Sequence, residues 1–234
     1  MTSAHLSSVP DTAPDLVVFD LDQTITTNDT YVYFLLSVLR KRPLRLVYCI
    51  PLPFAVAMHK MGLRNNTWLK RVFLRAICGG CEREFVEQLS DEVAGRVISK
   101  KLRPGAIPVL ERHKKRGDRI AIATASIDIY ALAIAEKLGI DKVDVLCTQA
   151  QWNGSKLTGD LASQNLYGSN KTHAVQNWAE SAGRSDIDVA YSDHHSDFSL
   201  LESARHGVAV NPNDRLMKLA SEADLEVVDW NVIG

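Results

Sequence analysis

The sequence predicts an α/β fold: a three-layer Rossmann-like core with a parallel sheet, plus a helical cap inserted after the first strand. Three observations carry this. Strand and helix signals alternate from Arg119 onward, the pattern of a parallel sheet covered on both faces. A short apolar run at 16–21 precedes them and has the length of a buried strand. Between the two lies a long stretch, 30–101, whose readable periodicity is helical.

Taken in order, the strand at 16–21 carries Asp20 at its C-terminal end. Residues 31–39 and 67–78 read as helices, and the chain between them is bent, with Pro51 and Pro53 interrupting its apolar run. In 82–101, Phe85, Leu89, Val93 and Val97 recur at spacing four, an amphipathic helix. Pro104 opens a helix in its first turn, and that helix ends near Arg116 and Gly117. A strand at 119–124, a helix at 127–138 closed by Gly139 and a strand at 143–148 follow. Asn153-Gly154 signals a hairpin. Then come a helix at 170–182, a strand at 189–192, a helix at 197–204, a strand at 208–210 and a helix at 214–223. Residues 1–14 read as a loose tail, 15–29 with 102–234 as the catalytic core, and 30–101 as the cap.

Composition narrows the class. The 234 residues have room for one core domain with a modest insert. With 46% hydrophobic and 24% charged residues and a net charge of -1, no global field draws the chain to nucleic acid. Four scattered cysteines make no disulfide framework, so a reducing, cytoplasmic setting is expected. Cys78 and Cys81 lack the second ligand pair that a zinc site needs. The opening residues lack the pattern of a signal peptide. The longest apolar run, 46–58, falls short of the roughly 20 residues that span a bilayer.

In a parallel sheet, ligands gather at the carboxyl ends of the strands. Asp20, Thr124 and Asp193 all fall at such ends. Asp20 and Asp22 leave the first strand two residues apart; one can attack phosphorus while the other serves as general acid and base, with a metal screening their repulsion. Thr124 and the backbone after it, at Ala125, suit a phosphoryl oxygen. Lys171 opens a helix, where a lysine opposes the helix dipole unless it serves a bound anion. Asp193 can reach a metal, and Asp197 can bond to metal-bound water or to Lys171. Each feature alone has a plain structural explanation: an acidic turn, a helix cap, a surface lysine. Their coincidence at matching strand and helix ends is what points to chemistry. His194 and His195 read as solvated loop residues, because imidazole is a poor magnesium ligand.

In order and spacing these residues resemble the haloacid dehalogenase superfamily. Asp20 with Asp22 matches its first motif, Thr124 its second, Lys171 its third, and Asp193 with Asp197 its fourth. The segment between the first two motifs is similar to the C1-type helical cap of subfamily IB, the group that contains phosphoserine phosphatase. The resemblance implies a magnesium-dependent phosphomonoesterase that works through an aspartyl-phosphate on Asp20, with Asp22 protonating the leaving alcohol and then activating water. It implies Mg2+ held by Asp20, Asp22 (through its backbone carbonyl) and Asp193, with Asp197 close by, and phosphoryl oxygens held by Thr124, Ala125 and Lys171. Ser192 stands where that family often has Gly.

The cap bears on the substrate. No Asp or Glu occurs between Asp29 and Glu82, while Arg40, Lys41, Arg42, Arg45, Lys60, Arg64, Lys70, Arg71 and Arg75 lie there among many apolar residues. Basic and apolar without acids is the pattern of a surface lying on anionic lipid. The order of these features resembles the phosphatidylglycerophosphatase C family. Two substrate classes therefore stand. One is a membrane lipid phosphate such as phosphatidylglycerophosphate, with peripheral contact at an anionic membrane. The other is a small soluble phosphomonoester: phosphoserine, histidinol phosphate or a sugar phosphate.

Overall fold

The computed structural model describes residues 14–232; nearly all of the expected N-terminal tail lies outside them. The elements are β1 (Leu16–Phe19), α1 (Thr30–Lys41), α2 (Leu52–Lys60), α3 (Asn66–Cys78), α4 (Arg83–Lys100), α5 (Ala106–Arg116), β2 (Arg119–Ile127), α6 (Asp128–Lys137) and β3 (Val145–Thr148). There follow β4 (Ala150–Asn153), β5 (Lys156–Leu161), α7 (Ser169–Ser181), β6 (Val189–Ser192), α8 (Phe198–Ser203), β7 (His206–Val210), α9 (Asp214–Glu222) and β8 (Glu226–Val228).

Six strands form one parallel sheet in the order β3-β2-β1-β6-β7-β8. Alternate residues of its strands enter two separate apolar clusters, as the two-residue strand period requires. Val17, Phe19, Ile120, Ile122, Val208 and Val210 face α5 and α6, with Leu110 and Ile134 among their partners. Leu16, Val18, Ala121, Ala123, Ala190 and Ala209 face α7, α8 and α9 through Val175, Leu200 and Leu216. β1 is buried along its whole length, which is why it reads as an unbroken apolar run. The chain winds outward from β1 to β3 and then returns to β6 on the other side of β1. The switch point of the topology, where such folds bind ligands, therefore lies between β1 and β6.

Residues 30–101 fold as α1 to α4, entered and left side by side where Thr26 bridges Leu102. The antiparallel hairpin of β4 and β5 packs against α3. Gly159 of β5 has φ +80°, and a Cβ there would stand 2.3 Å from the Arg75 Cα, so only glycine permits this approach. Along α4 the buried residues are Val86, Leu89, Ser90, Val93, Ala94 and Val97; Phe85 lies to one side, beneath the Arg42 guanidinium.

Several boundaries differ from the sequence reading. α2 lies within the stretch read only as bent: Pro51 precedes the helix and Pro53 sits in its first turn, where a missing N–H costs no hydrogen bond. α5 begins two residues after Pro104. β2 runs past Thr124 to Ile127, with a register shift against β3 between those residues. The two residues of the hairpin turn are Gly154 and Ser155, so Asn153 belongs to the strand. β8 is a short edge strand whose largely exposed residues gave no apolar signal. Cys78 and Cys81 are buried free thiols, and burial raises both above their ordinary value.

Candidate active site

Asp20 is the first residue after β1, and its N–H donates to the Tyr191 carbonyl at 2.9 Å, which ties it to the adjacent strand β6. Asp193 follows the last residue of β6, so the two carboxylates flank the switch point. The chain then coils tightly through 21–25, with Gln23 at φ 60°, a left-handed conformation uncommon for a residue with a side chain. This coil brings Thr24 between the two acids: its hydroxyl stands 3.2 Å from Asp20 Oδ2 and 3.1 Å from Asp193 Oδ1, and accepts the Asp193 N–H at 3.0 Å. One hydroxyl proton cannot serve both carboxylates.

Lys171, in the first turn of α7, reaches the same point. Its Nζ donates to Asp20 Oδ1 at 2.7 Å and to Asp197 Oδ2 at 2.6 Å. All of these side chains are buried. Burial alone works against the lysine charge, but Asp197 and Asp20 outweigh it and hold the ammonium above its ordinary value. Burial raises the Asp20 carboxyl well above the usual range; Lys171 opposes that, and the charges on Asp197, Asp193 and Asp22 add to it. Asp193 is pushed up to about 6, mainly by burial. Buried acids thus outnumber the one buried cation between them.

That excess suits a hard cation with oxygen ligands. The carboxylates differ in how they are held. Asp197 accepts from Lys171, from the Ser192 hydroxyl at 2.8 Å and from the Ser196 hydroxyl at 3.3 Å, so it stands as the partner of the lysine. The Asp22 carboxylate accepts from the Thr30 N–H at 2.6 Å and the Ser126 hydroxyl at 2.5 Å, which holds it towards α1 and β2. Asp20 and Asp193 flank the switch point and line the same pocket. Among the described residues no set of three or more His, Cys, Asp or Glu side chains converges as a metal cluster. Two carboxylates with open space is the arrangement magnesium favours, because it keeps several of its waters.

Thr124 is buried in β2, and its Oγ accepts the Ser126 N–H at 3.0 Å, with its own hydroxyl hydrogen still to be placed. Ala125 lines the same pocket, but its carbonyl is occupied by the Thr148 hydroxyl at 2.9 Å and by Lys70. Ser126 stands one residue beyond the expected pair and holds Asp22; Tyr130 in turn donates to Ser126 at 3.0 Å. His194 lines the pocket and is half-buried, with its Nδ1 bonded to the Ser196 hydroxyl at 2.9 Å; it is not a freely solvated loop residue.

Lys70 has no counterpart in the sequence reading. It projects from α3 of the cap to the core, where its Nζ donates to the Ala125 carbonyl at 2.5 Å and to Asn165 Oδ1 at 2.7 Å. Burial pushes its ammonium down to about 8, while Asp22 and Asp29 pull the other way. The unfolded chain keeps this proton up to the ordinary value of 10.5, whereas the folded chain releases it near 8. Between those values the unfolded state binds more protons, so stability rises with pH. Across that window wild type should gain up to about 3 kcal/mol relative to Lys70→Met. Denaturant unfolding of both proteins at pH 7.5 and 10.5 checks this; a difference that does not change with pH would show that the lysine titrates normally.

The pocket holds about 570 Å³. Asp20, Asp22, Thr124, Lys171 and Asp193 make its polar end, and Asp29, Tyr31, Asn66 and Lys70 stand along its wall. Leu35, Leu36, Leu39, Leu46, Leu52 and Phe73 supply its apolar lining. Leu36 and Leu46 are both more than half exposed, so part of the apolar lining reaches the surface.

Paired acids at the switch point, a buried lysine and an acid held beside a helical cap define a hydrolase of the Rossmann-like class. The chain belongs to the haloacid dehalogenase-like hydrolase family, whose profile matches residues 17–202. It is 29% identical over 221 residues to a phosphoserine phosphatase of Mycobacterium tuberculosis, covering 92% of this chain and 70% of that protein. It is 26% identical over 228 residues to the inhibition of morphological differentiation protein of Streptomyces azureus, covering 96% and 80%. Among solved structures, a Bordetella pertussis protein of unknown function superposes with a TM-score of 0.76 at 21% identity, covering 94% of this chain and all of the other. A phospho-aspartyl intermediate analogue of phosphoserine phosphatase superposes with a TM-score of 0.64 at 19% identity, covering 95% of each chain. These two likenesses speak for the fold.

Proposed function

We propose that this chain is a magnesium-dependent phosphatase that forms an aspartyl-phosphate on Asp20, and that its substrate is a lipid phosphate. The reaction follows from the placement of the acids. Asp20 attacks phosphorus while the Asp22 carboxyl gives its proton to the departing alcohol oxygen. Asp22, then anionic, takes a proton from water, which attacks the phosphoryl group and releases Asp20. Lys171 and Thr124 stand where they can hold phosphoryl oxygens as charge spreads over them. Magnesium, held by Asp20, Asp193 and the Asp22 carbonyl, would supply positive charge against the buried acids and the phosphoryl oxygens.

One observation carries the lipid reading: the pocket that holds the acids also has an extensive apolar lining, part of which reaches the surface. An acyl or alkyl chain fits such a sleeve. The test is a series of soluble n-alkyl phosphates with Mg2+ present. Each methylene buried contributes about 0.8 kcal/mol, so kcat/KM should climb about fourfold per carbon until the sleeve is filled. A flat series would exclude the acyl-chain sleeve.

A second reading keeps the chemistry and changes the substrate. Asp29 and Lys70 both line the pocket wall, so a carboxylate and an ammonium are available to a small zwitterion such as phosphoserine. The name of the mycobacterial relative points the same way. Against it, both groups are already engaged: Asp29 caps α1 by accepting the Val32 N–H at 3.0 Å, and Lys70 is tied to Ala125 and Asn165. Turnover of phosphoserine far above that of the best alkyl phosphate would establish this second reading.

A further inference from the structure

Helix α2 is apolar on two sides. Leu52 and Ala55, three residues apart, are buried beneath it. Phe54, Ala57 and Met61 lie at the spacing of the opposite face and are exposed, Phe54 to 69%. The 3-10 segment before it, Pro43–Cys49, has no buried residue, and there Leu44 is 89% exposed; Ile50, just after it, is 74% exposed. With Leu46, Val47 and Tyr48 this makes an outward apolar surface far denser than the scattered exposure normal for a protein. Leu46 belongs both to this surface and to the apolar lining of the pocket.

The charges around it are also sorted. Of the nine basic residues between 40 and 75, Lys41 pairs with Glu92, Arg45 donates to the Ile77 and Gly79 carbonyls, Lys70 is buried, and Arg71 and Arg75 share Asp160. Arg42 lies over the Phe85 ring. Arg40, Lys60 and Arg64 are exposed and, among the described residues, have no acidic partner.

We infer that residues 40–64 are a docking surface for an anionic phospholipid bilayer, in which Leu44, Ile50 and Phe54 enter the interface while Arg40, Lys60 and Arg64 meet lipid headgroups. A second copy of the chain is the poorer occupant, because it would bring like charges together in a stretch without acids. The apolar contribution outweighs the charge, since only three of the nine cations are offered to the headgroups, and one of these, Arg64, lies over the Trp68 ring. The inference deepens the lipid-phosphate reading, because a sleeve that opens on the bilayer takes its substrate without passing it through water.

The experiment is co-sedimentation with vesicles of equal phosphatidylglycerol and phosphatidylcholine, and with phosphatidylcholine alone. Wild type should bind the anionic vesicles. Ile50→Ser with Phe54→Ser should lower partitioning by at least about tenfold. Arg40→Ser, Lys60→Ser and Arg64→Ser together should remove the preference for anionic over neutral vesicles. At 1 M salt, where the Debye length is about 3 Å, wild type should lose that preference but keep part of its binding. Both variants should keep wild-type melting temperature and wild-type hydrolysis of p-nitrophenyl phosphate, because none of these residues lines the pocket. Wild type that stays in the supernatant at low salt would overturn the inference. So would serine variants that bind like wild type, or a concentration-dependent dimer abolished by Ile50→Ser with Phe54→Ser without any vesicle binding. The alkyl phosphate series is read in solution without vesicles, so a failed docking surface and a failed substrate reading give separate results.

Discussion

Asp20→Asn should abolish phosphate release, by roughly four to six orders of magnitude, while the protein stays folded. The change removes the nucleophile and a buried negative charge together. Lys171 keeps Asp197, so the lysine is not stranded. Without magnesium the variant should melt no lower than wild type, because the repulsion among Asp20, Asp193 and Asp197 is relieved. Added magnesium should raise the melting temperature of wild type through mass action and raise that of the variant much less. Thermal scans at several magnesium concentrations, beside single-turnover assays, check both parts. Normal turnover in the variant would refute the covalent route.

Asp22→Asn should cost on the order of 10²- to 10⁴-fold in turnover, because one group serves as acid and then as base. The asparagine oxygen can still accept the Thr30 N–H, and the Ser126 hydroxyl can turn to accept from the amide, so the geometry should hold. The leaving group then separates the two half-reactions. p-Nitrophenolate departs without a proton, so the variant should release about one equivalent of it per enzyme in a burst. The second step should remain slow, because water still lacks its base. Stopped-flow absorbance reads the burst; a steady rate equal to wild type would make Asp22 structural.

The parts of the site read from sequence are those fixed by strand ends. Asp20 and Asp193 follow β1 and β6, which are short buried strands with plain apolar signals. Lys171 was legible because a lysine at a helix start opposes the dipole. Ser126 could have been found, since it lies two residues past Thr124 on the same strand. Lys70 could not. In sequence it is one of nine basic residues on cap helices, and only the docking of α3 against Ala125 and Asn165 singles it out. The same limit misled the charge count. Nine cations without an acid nearby looked like an electrostatic surface, yet three of them, Lys41, Arg71 and Arg75, find Glu92 and Asp160 elsewhere in the chain. Asp29 was noted only as the edge of the acid-free stretch, whereas folding sets it in the pocket wall. α2 escaped because Pro51 and Pro53 read as breakers, and proline breaks a helix only beyond its first turn.

The position of β1 at the centre of the sheet has a consequence for how the chain is made. Val17 pairs with Ile120 on one side and with Val189 on the other. The strand that leads to Asp20 is therefore synthesised before every other strand of the sheet and waits for β6 to complete its pairing. At about 5–20 residues per second, the 172 residues from Leu16 to Asp188, which are hydrogen-bonded in the finished sheet, take between roughly 9 and 34 s to appear. Through that interval an apolar Leu-Val-Val-Phe segment has at most one of its two edges paired. Nascent chains stalled before Val189 should consequently need chaperone protection, and loss of β6 should collapse the whole core rather than trim one edge of it.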